Sequence, residues 1–228
     1  METANIKYDG SLSPFFVQKT QLPHSCAFGG ATTISQFIYL VCGYDGFSNH
    51  SSKQVLSAQI LDPLAVPVLD LSLEFNLSYA GVASGRYVYK VSAVYPSSYA
   101  RNPGGEGLPS EGLTVIVPQI SGLLLIITWG PVPGASGYNV YRSVSPGSTQ
   151  MGLLGSTSNF YFVDDGNITV VKTTTPLPQG SLGTWHSVGS LNIPRSFTAI
   201  SSVPDSLSPT RFYLHVGGKY ASFRYLLI

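Results

Sequence analysis

A chain of 228 residues, 43% hydrophobic, only 10% charged and with a formal net charge of +1, is long enough to bury a core without disulfide staples, as one large β domain or two ordinary ones. Its twelve Lys and Arg are scattered and form no stripe that could displace phosphate counterions, which argues against nucleic-acid binding. The longest apolar run, LLLII at 123–127, is far too short to span a bilayer, and no basic start leads into an apolar h-region, so neither membrane insertion nor Sec targeting is expected.

Taken in chain order, short apolar or alternating runs rich in Val, Ile, Tyr, Phe and Thr predict strands. They are FIYLVCG (37–43), QVLSAQIL (54–61), RYVYKVSAV (86–94), LTVIVP (113–118), LLLIITW (123–129), GYNVYRS (137–143), FYFV (160–163) and RFYLHVGG (211–218). Clusters of Gly, Pro, Ser and Asn bound each run, and no stretch sustains a helical period. An all-β fold is expected. NITVVKTTTPLPQGS (167–181) reads as a linker, with Pro176 and Pro178 holding it extended. A surface this poor in charge suits packing against other subunits.

The middle of the chain differs from its flanks. GRYVYKVSAV is followed by GEGLPSE, and later come ITWGPVPGASGYNVYR and FYFVDDG. This stretch resembles the fibronectin type III family: the first pair looks like that family's last two strands, and the Trp-containing run looks like its second and third. The order is permuted, with the closing hairpin ahead of the Trp strand. Such permuted modules occur in bacteriophage tail and other virion proteins, and a sandwich tolerates the change because its ends lie at the surface. Trp129 is then expected between two sheets, with Tyr87, Tyr89 and Val91 alternating inward.

The flanks repeat one another. LPHSCAFGGATTISQFIYLVCGYDG (22–46) aligns with IPRSFTAISSVPDSLSPTRFYLHVGGKYA (193–221), matching Pro23 with Pro194, Ser25 with Ser196, Tyr39 with Tyr213, Leu40 with Leu214 and Gly43 with Gly217. An aromatic residue stands upstream of each copy, Phe15 or Phe16 in the first and Trp185 in the second. The unit resembles the kelch motif of β-propellers, in which a Trp strand, a Pro-Arg-Ser turn, a Tyr strand and a Gly-Gly pair make one four-stranded blade; only the second copy carries PRS and GG intact. The expected organisation is a first kelch-like unit with the N-terminal segment over 1–70, a fibronectin-like sandwich over 71–168, and a linker with the second kelch-like unit over 169–228.

No nucleophile elbow, zinc-protease helix or Walker loop is present, so no catalytic residue, cofactor or metal site is expected. Asp164 and Asp165 offer carboxylates that calcium could use, although an acidic turn after a strand is the ordinary explanation. Cys26 and Cys42 lack zinc or redox spacing. Two reduced, buried thiols is their ordinary reading, while a hairpin turning near Ile34 would set them opposite each other, where a bridge is conceivable. Two loops carry mixtures of stacking and hydrogen-bonding groups suited to surface contact: Tyr44, Asp45, Phe47 and Asn49 in GYDGFSNHSS (43–52), and Tyr95, Tyr99 and Arg101 in YPSSYARNPGG (95–105). Protein contact stands ahead of carbohydrate for both.

The resemblances imply a non-enzymatic virion structural protein, a bacteriophage tail, baseplate or head-appendage component. A homo-oligomer with other virion proteins as partners is expected. Since one chain supplies two blade-like units and a propeller needs several, a trimer is the first choice of ring. The alternative is a carbohydrate-binding adhesin or receptor-binding module that takes a host-surface glycan.

Overall fold

The computed structural model describes residues 1–45 and 50–219, and the regular elements among them are all strands. In chain order they are β1 (Glu2–Thr3), β2 (Phe16–Val17), β3 (Gly30–Ile34), β4 (Phe37–Val41), β5 (Tyr44–Asp45), β6 (His50–Gln59), β7 (Leu69–Phe75), β8 (Gly85–Val94), β9 (Glu106–Pro109) and β10 (Leu113–Val117). There follow β11 (Leu123–Trp129), β12 (Gly137–Ser143), β13 (Met151–Thr157), β14 (Tyr161–Asp164), β15 (His186–Asp205) and β16 (Ser208–Lys219). The protein is all-β. The chain forms two compact units, one made of residues up to Ile60 together with those from Leu182 onward, the other Leu61–Ser181.

The central unit carries a three-stranded sheet, β14-β11-β7, and a second sheet in the order β10-β8-β12-β13, with β9 paired to β8. Alternation decides which side chains are inside. Along β8, Tyr87, Tyr89 and Val91 are buried and the residues between them are more exposed, so the period of two directs every second side chain inward. They meet Leu125, Ile127 and Trp129 of β11 in one core cluster. Trp129 is 6% exposed and sits edge-on to Tyr138 at 5.3 Å between ring centroids, the arrangement favoured by the ring quadrupoles. The expected placement of Trp129 and its tyrosine neighbours is the one observed.

The central unit extends further at both ends than the sequence reading set it. Leu61 and Leu177 are both buried with Leu108, and the stretch read as a return linker is docked: Leu153 donates its N–H to the Val171 carbonyl at 3.1 Å and Val171 returns the bond at 2.7 Å. Val170 beside it is buried in the main core. Burial of these apolar residues, together with the two main-chain bonds, holds a segment whose prolines alone would only keep it extended.

In the flanking unit the two repeat copies share one sheet, β16-β15-β6-β4-β3, with β5 on β6. The β3–β4 hairpin turns at Ser35 and Gln36, where Ser35 adopts φ +52°, the left-handed backbone that two-residue hairpin loops require. Strand β15 bridges the copies: His186–Arg195 pair with β6, and Ser196–Asp205 pair with β16. Pro194, which has no N–H for a ladder, falls in the register shift between Ser190 and Arg195. Cys42, Leu56, Ala58, Leu182 and Trp185 form a compact core, with Cys26, Ile38 and Leu40 packed against it.

Cys26 and Cys42 are joined in a disulfide, with Cα atoms 5.1 Å apart, so the bridged arrangement replaces the expectation of two reduced thiols. The hairpin turn at Ser35 brings the segment that leads into β3, which carries Cys26, against Cys42 just after β4. At the base of this hairpin the two chain segments run so close that a Cβ on Gly29 would lie 2.6 Å from the Val41 carbonyl oxygen, and one on Gly43 would collide with the Phe28 carbonyl. Gly217, aligned with Gly43 in the repeat, has open space around it. The two glycines match in sequence and do different work.

Candidate functional site

Where the two repeat copies meet, an aromatic cluster stands at the surface. Phe28 and Phe197 lie 4.6 Å apart between ring centroids, and Tyr44 meets Phe28 edge-on at 6.5 Å. Both phenylalanines are more than half exposed, and both sit at positive φ, +51° and +52°. For a bulky residue this backbone costs of order 1–3 kcal/mol, and such strain persists only where surrounding bonds impose it. Here Thr198 donates its N–H to the Phe28 carbonyl at 3.0 Å and its hydroxyl to the Val41 carbonyl at 3.1 Å. Phe197 itself lies in the register shift of β15 between Ser196 and Ala199, where the extra residue redirects the side chain.

Of the first predicted contact loop, Tyr44 therefore belongs to this cluster, half-buried at the start of β5. Asp45 is placed through its backbone, paired with His50, while Phe47 and Asn49 lie outside the described residues. Phe28 and Phe197 carried no signal in the sequence: nothing in CAFGG or PRSFT marks a left-handed phenylalanine.

The second loop is corrected. Tyr95 is only 8% exposed and belongs to the sandwich core, and Tyr99 stacks on it at 4.6 Å with the rings 11° from parallel. A Cβ on Gly134 would press into the other side of the Tyr99 ring. Both rings are used in closing the end of the sandwich, because two flat aromatic faces bury more area against each other and the core than in solvent. Burial pushes the Tyr95 hydroxyl upward from the usual tyrosine range. Arg101 alone of the three is exposed.

Two buried polar networks brace the central unit. Asp164, fully buried, accepts from the Tyr89 hydroxyl at 2.7 Å, from the Arg142 guanidinium, and from the Gly166 N–H at 3.0 Å. Arg142 also lies 5.3 Å over the Tyr87 ring. Asp165, next to it, accepts from the Asn167 N–H at 3.0 Å, as an acidic turn after a strand does. In the second network, Glu106 receives the hydroxyls of Tyr141 and Ser92. Desolvation, joined by the neighbouring carboxylate, drives the Tyr89 and Tyr141 hydroxyls far above the usual tyrosine range. A tyrosine so held stays protonated and serves as a fixed donor. Among the described residues no group of three His, Cys, Asp or Glu side chains could hold a metal ion.

The flanking unit also carries a cleft of about 350 Å³ lined by Ile34, Phe37 and Tyr39 from the first copy and Thr210, Phe212 and Leu214 from the second. Beyond it the β15–β16 hairpin alternates: Ile200, Ser202, Leu214 and Val216 are half-buried, with the Ser202 hydroxyl 3.4 Å from that of Thr32 in β3, while the opposite face is open, Val203 and Tyr213 being 45% and 51% exposed. Strand β16 ends the sheet among the described residues. No family model matches this chain, and no curated protein sequence matches it.

Proposed function

We infer that this chain is a non-enzymatic structural protein of a virion, a bacteriophage tail, baseplate or head-appendage component that works through protein–protein assembly. The observation that carries the reading is the β15–β16 hairpin. It is a long ribbon with one open, apolar-studded face, and its outer strand ends the sheet among the described residues. A strand edge of this kind pairs readily with another chain, and proteins that stay single blunt such edges with charge, prolines or a cover. The exposed face here holds Val203 and Tyr213 directly opposite each other.

Three further features support it. Only 10% of the residues are charged, which suits a surface spent on subunit contacts. The disulfide suits a protein that works outside a reducing cytosol, as particle components do. The strand orders of the central unit, three strands against five with Trp129 between them, accord with a permuted fibronectin type III-like sandwich. The flanks keep their kelch-like residue matches, and a homo-oligomer, with a trimer as the first choice of ring, is the assembly this reading expects.

Mass photometry and light scattering of the purified chain test the assembly, with a defined oligomer expected at micromolar concentration. Val203→Asp combined with Leu207→Asp should dissociate it. A stable, soluble monomer would overturn the assembly reading, and absence of the chain from purified particles would overturn the virion assignment. The cleft lined by Phe37, Tyr39 and Phe212 with the Thr210 hydroxyl favours one alternative, a glycan-binding adhesin, since sugar rings stack on aromatic faces between hydroxyls. A glycan array reads that directly.

A further inference from the structure

We propose that the outer face of the five-stranded sheet in the central unit holds a binding site for a carboxylate-bearing sugar residue. The inference is independent of the assembly reading. A cleft of about 300 Å³ lies between β8 and the loop joining β12 to β13, lined by Arg86, Val88, Lys90, Ser143, Thr149 and Met151 among others. That volume is at the lower end of small-molecule sites and accommodates one sugar ring.

The cleft is built by the ladder. Arg86, Val88 and Lys90 alternate with the inward-facing Tyr87 and Tyr89, so the period of two puts both cations on one face with an apolar residue between them. The roof is the loop after β12, tied down where Gly147 donates its N–H to the Arg86 carbonyl at 2.7 Å. Gly85, at φ +137°, faces Pro146 so closely that a Cβ there would lie 2.5 Å from the proline ring. These contacts fix the loop against the strand without occupying the cleft.

Each polar side chain inside has a proton to donate. Ser143, 1% exposed, accepts the Val88 N–H at 3.0 Å through its hydroxyl oxygen, and its own proton has no acceptor among the described residues. It stands where the β8–β12 ladder, whose last pair is Arg142 with Tyr89, would otherwise continue. Neither Arg86 nor Lys90 has an ion-pair partner among the described residues, and no acidic side chain lines the cleft. Two unpaired cations and buried or rim hydroxyls, with no acceptor of opposite sign, select an oxyanion. The planar guanidinium of Arg86 matches a planar carboxylate, with Lys90 as the second charge. The apolar wall of Val88 and Met151 selects what carries it, a compact body with a C–H face, which a pyranose ring presents while its hydroxyls face Ser143 and Thr149.

Titration of the intact chain with glucuronic acid, followed by amide NMR or calorimetry, tests the site, with glucose and inorganic sulfate as comparison ligands. Glucuronic acid is expected to bind saturably, shifting resonances of 86–90 and 143–151, and to weaken as salt is raised. Glucose at the same concentrations should leave those resonances in place, and sulfate should bind markedly more weakly than glucuronic acid. Arg86→Gln at an exposed position and Lys90→Gln at a half-buried one should each weaken binding about tenfold, as expected for losing a charge-assisted contact, while Lys172→Gln leaves it unchanged. Equal binding of glucose, equal displacement by sulfate, or full binding by the Arg86→Gln protein would each overturn the proposal. The first two comparisons need no variant, so they decide the matter even where a substitution unfolds the chain.

Discussion

Trp129 and Tyr89 hold the central unit by different physics, and each leaves its own signature. Trp129 fills the space between two sheets; truncating it to Ala should cost about 3–5 kcal/mol of stability, the range for deleting a large buried aromatic. Chemical denaturation of the variant checks this, and a parent-like midpoint would place the ring outside the core. Tyr89 acts through its proton. Its hydroxyl is held above the ordinary value by burial first and by Asp164 second, so the folded chain keeps a proton that the unfolded chain releases above pH about 10. Stability from this group is complete below that pH and declines as pH rises beyond it. Tyr89→Phe should lower stability at neutral pH, by removing a donor to a buried carboxylate, and should make the alkaline decline shallower, measured by urea melts between neutral pH and the alkaline limb. The core tyrosines were legible in the sequence because they alternate. The partners of Asp164 were not, since Arg142 comes from a strand distant in sequence and only the register of β8 against β12 brings Tyr89 beside it.

At the level of elements, every strand marked by a run of Val, Ile and Tyr is present within a few residues of its expected ends. The strand that organises the flanking unit, β15, was hidden. Its sequence, HSVGSLNIPRSFTAISSVPD, mixes Ser, Asn, Gly and two prolines, and where its burial does alternate the inward positions include Ser196, Thr198 and Ser202, which give no hydropathic signal. The prolines looked like a turn and instead fall at irregular points of the ladder, Pro194 within one register shift and Pro204 at another. The disulfide was legible only as a geometric option of the β3–β4 hairpin. It closes a separation of 16 residues, and a loop of that size stabilises by about 3 kcal/mol through restriction of the unfolded chain. A Cys26→Ser, Cys42→Ser double variant should lose roughly that amount in the flanking unit, seen as an earlier thermal transition, with the central unit's transition unmoved. Thiol titration of the parent under denaturing, non-reducing conditions should find no free cysteine.

For the whole molecule, the repeat in the flanks was legible residue by residue, yet the way its copies join was not, because β15 carries the joint and its PRS stretch reads as a turn. The aromatic cluster of Phe28, Phe197 and Tyr44 exists only through that joint and could not be found from either copy alone. One detail of the same unit has a practical side. Ile60 bridges to Leu182, and the Gly183 N–H bonds to the Gln59 carbonyl at 2.8 Å, so the flanking unit closes across its own gap with the ladder intact on either side. Such a junction is indifferent to what is threaded through it. Replacing 61–181 by a short Gly-Ser turn should yield a chain that still folds, with its disulfide formed and its strand content kept. The same gap should then accept a foreign domain whose ends lie close together, read as a chain that keeps its disulfide and strand content with the graft in place.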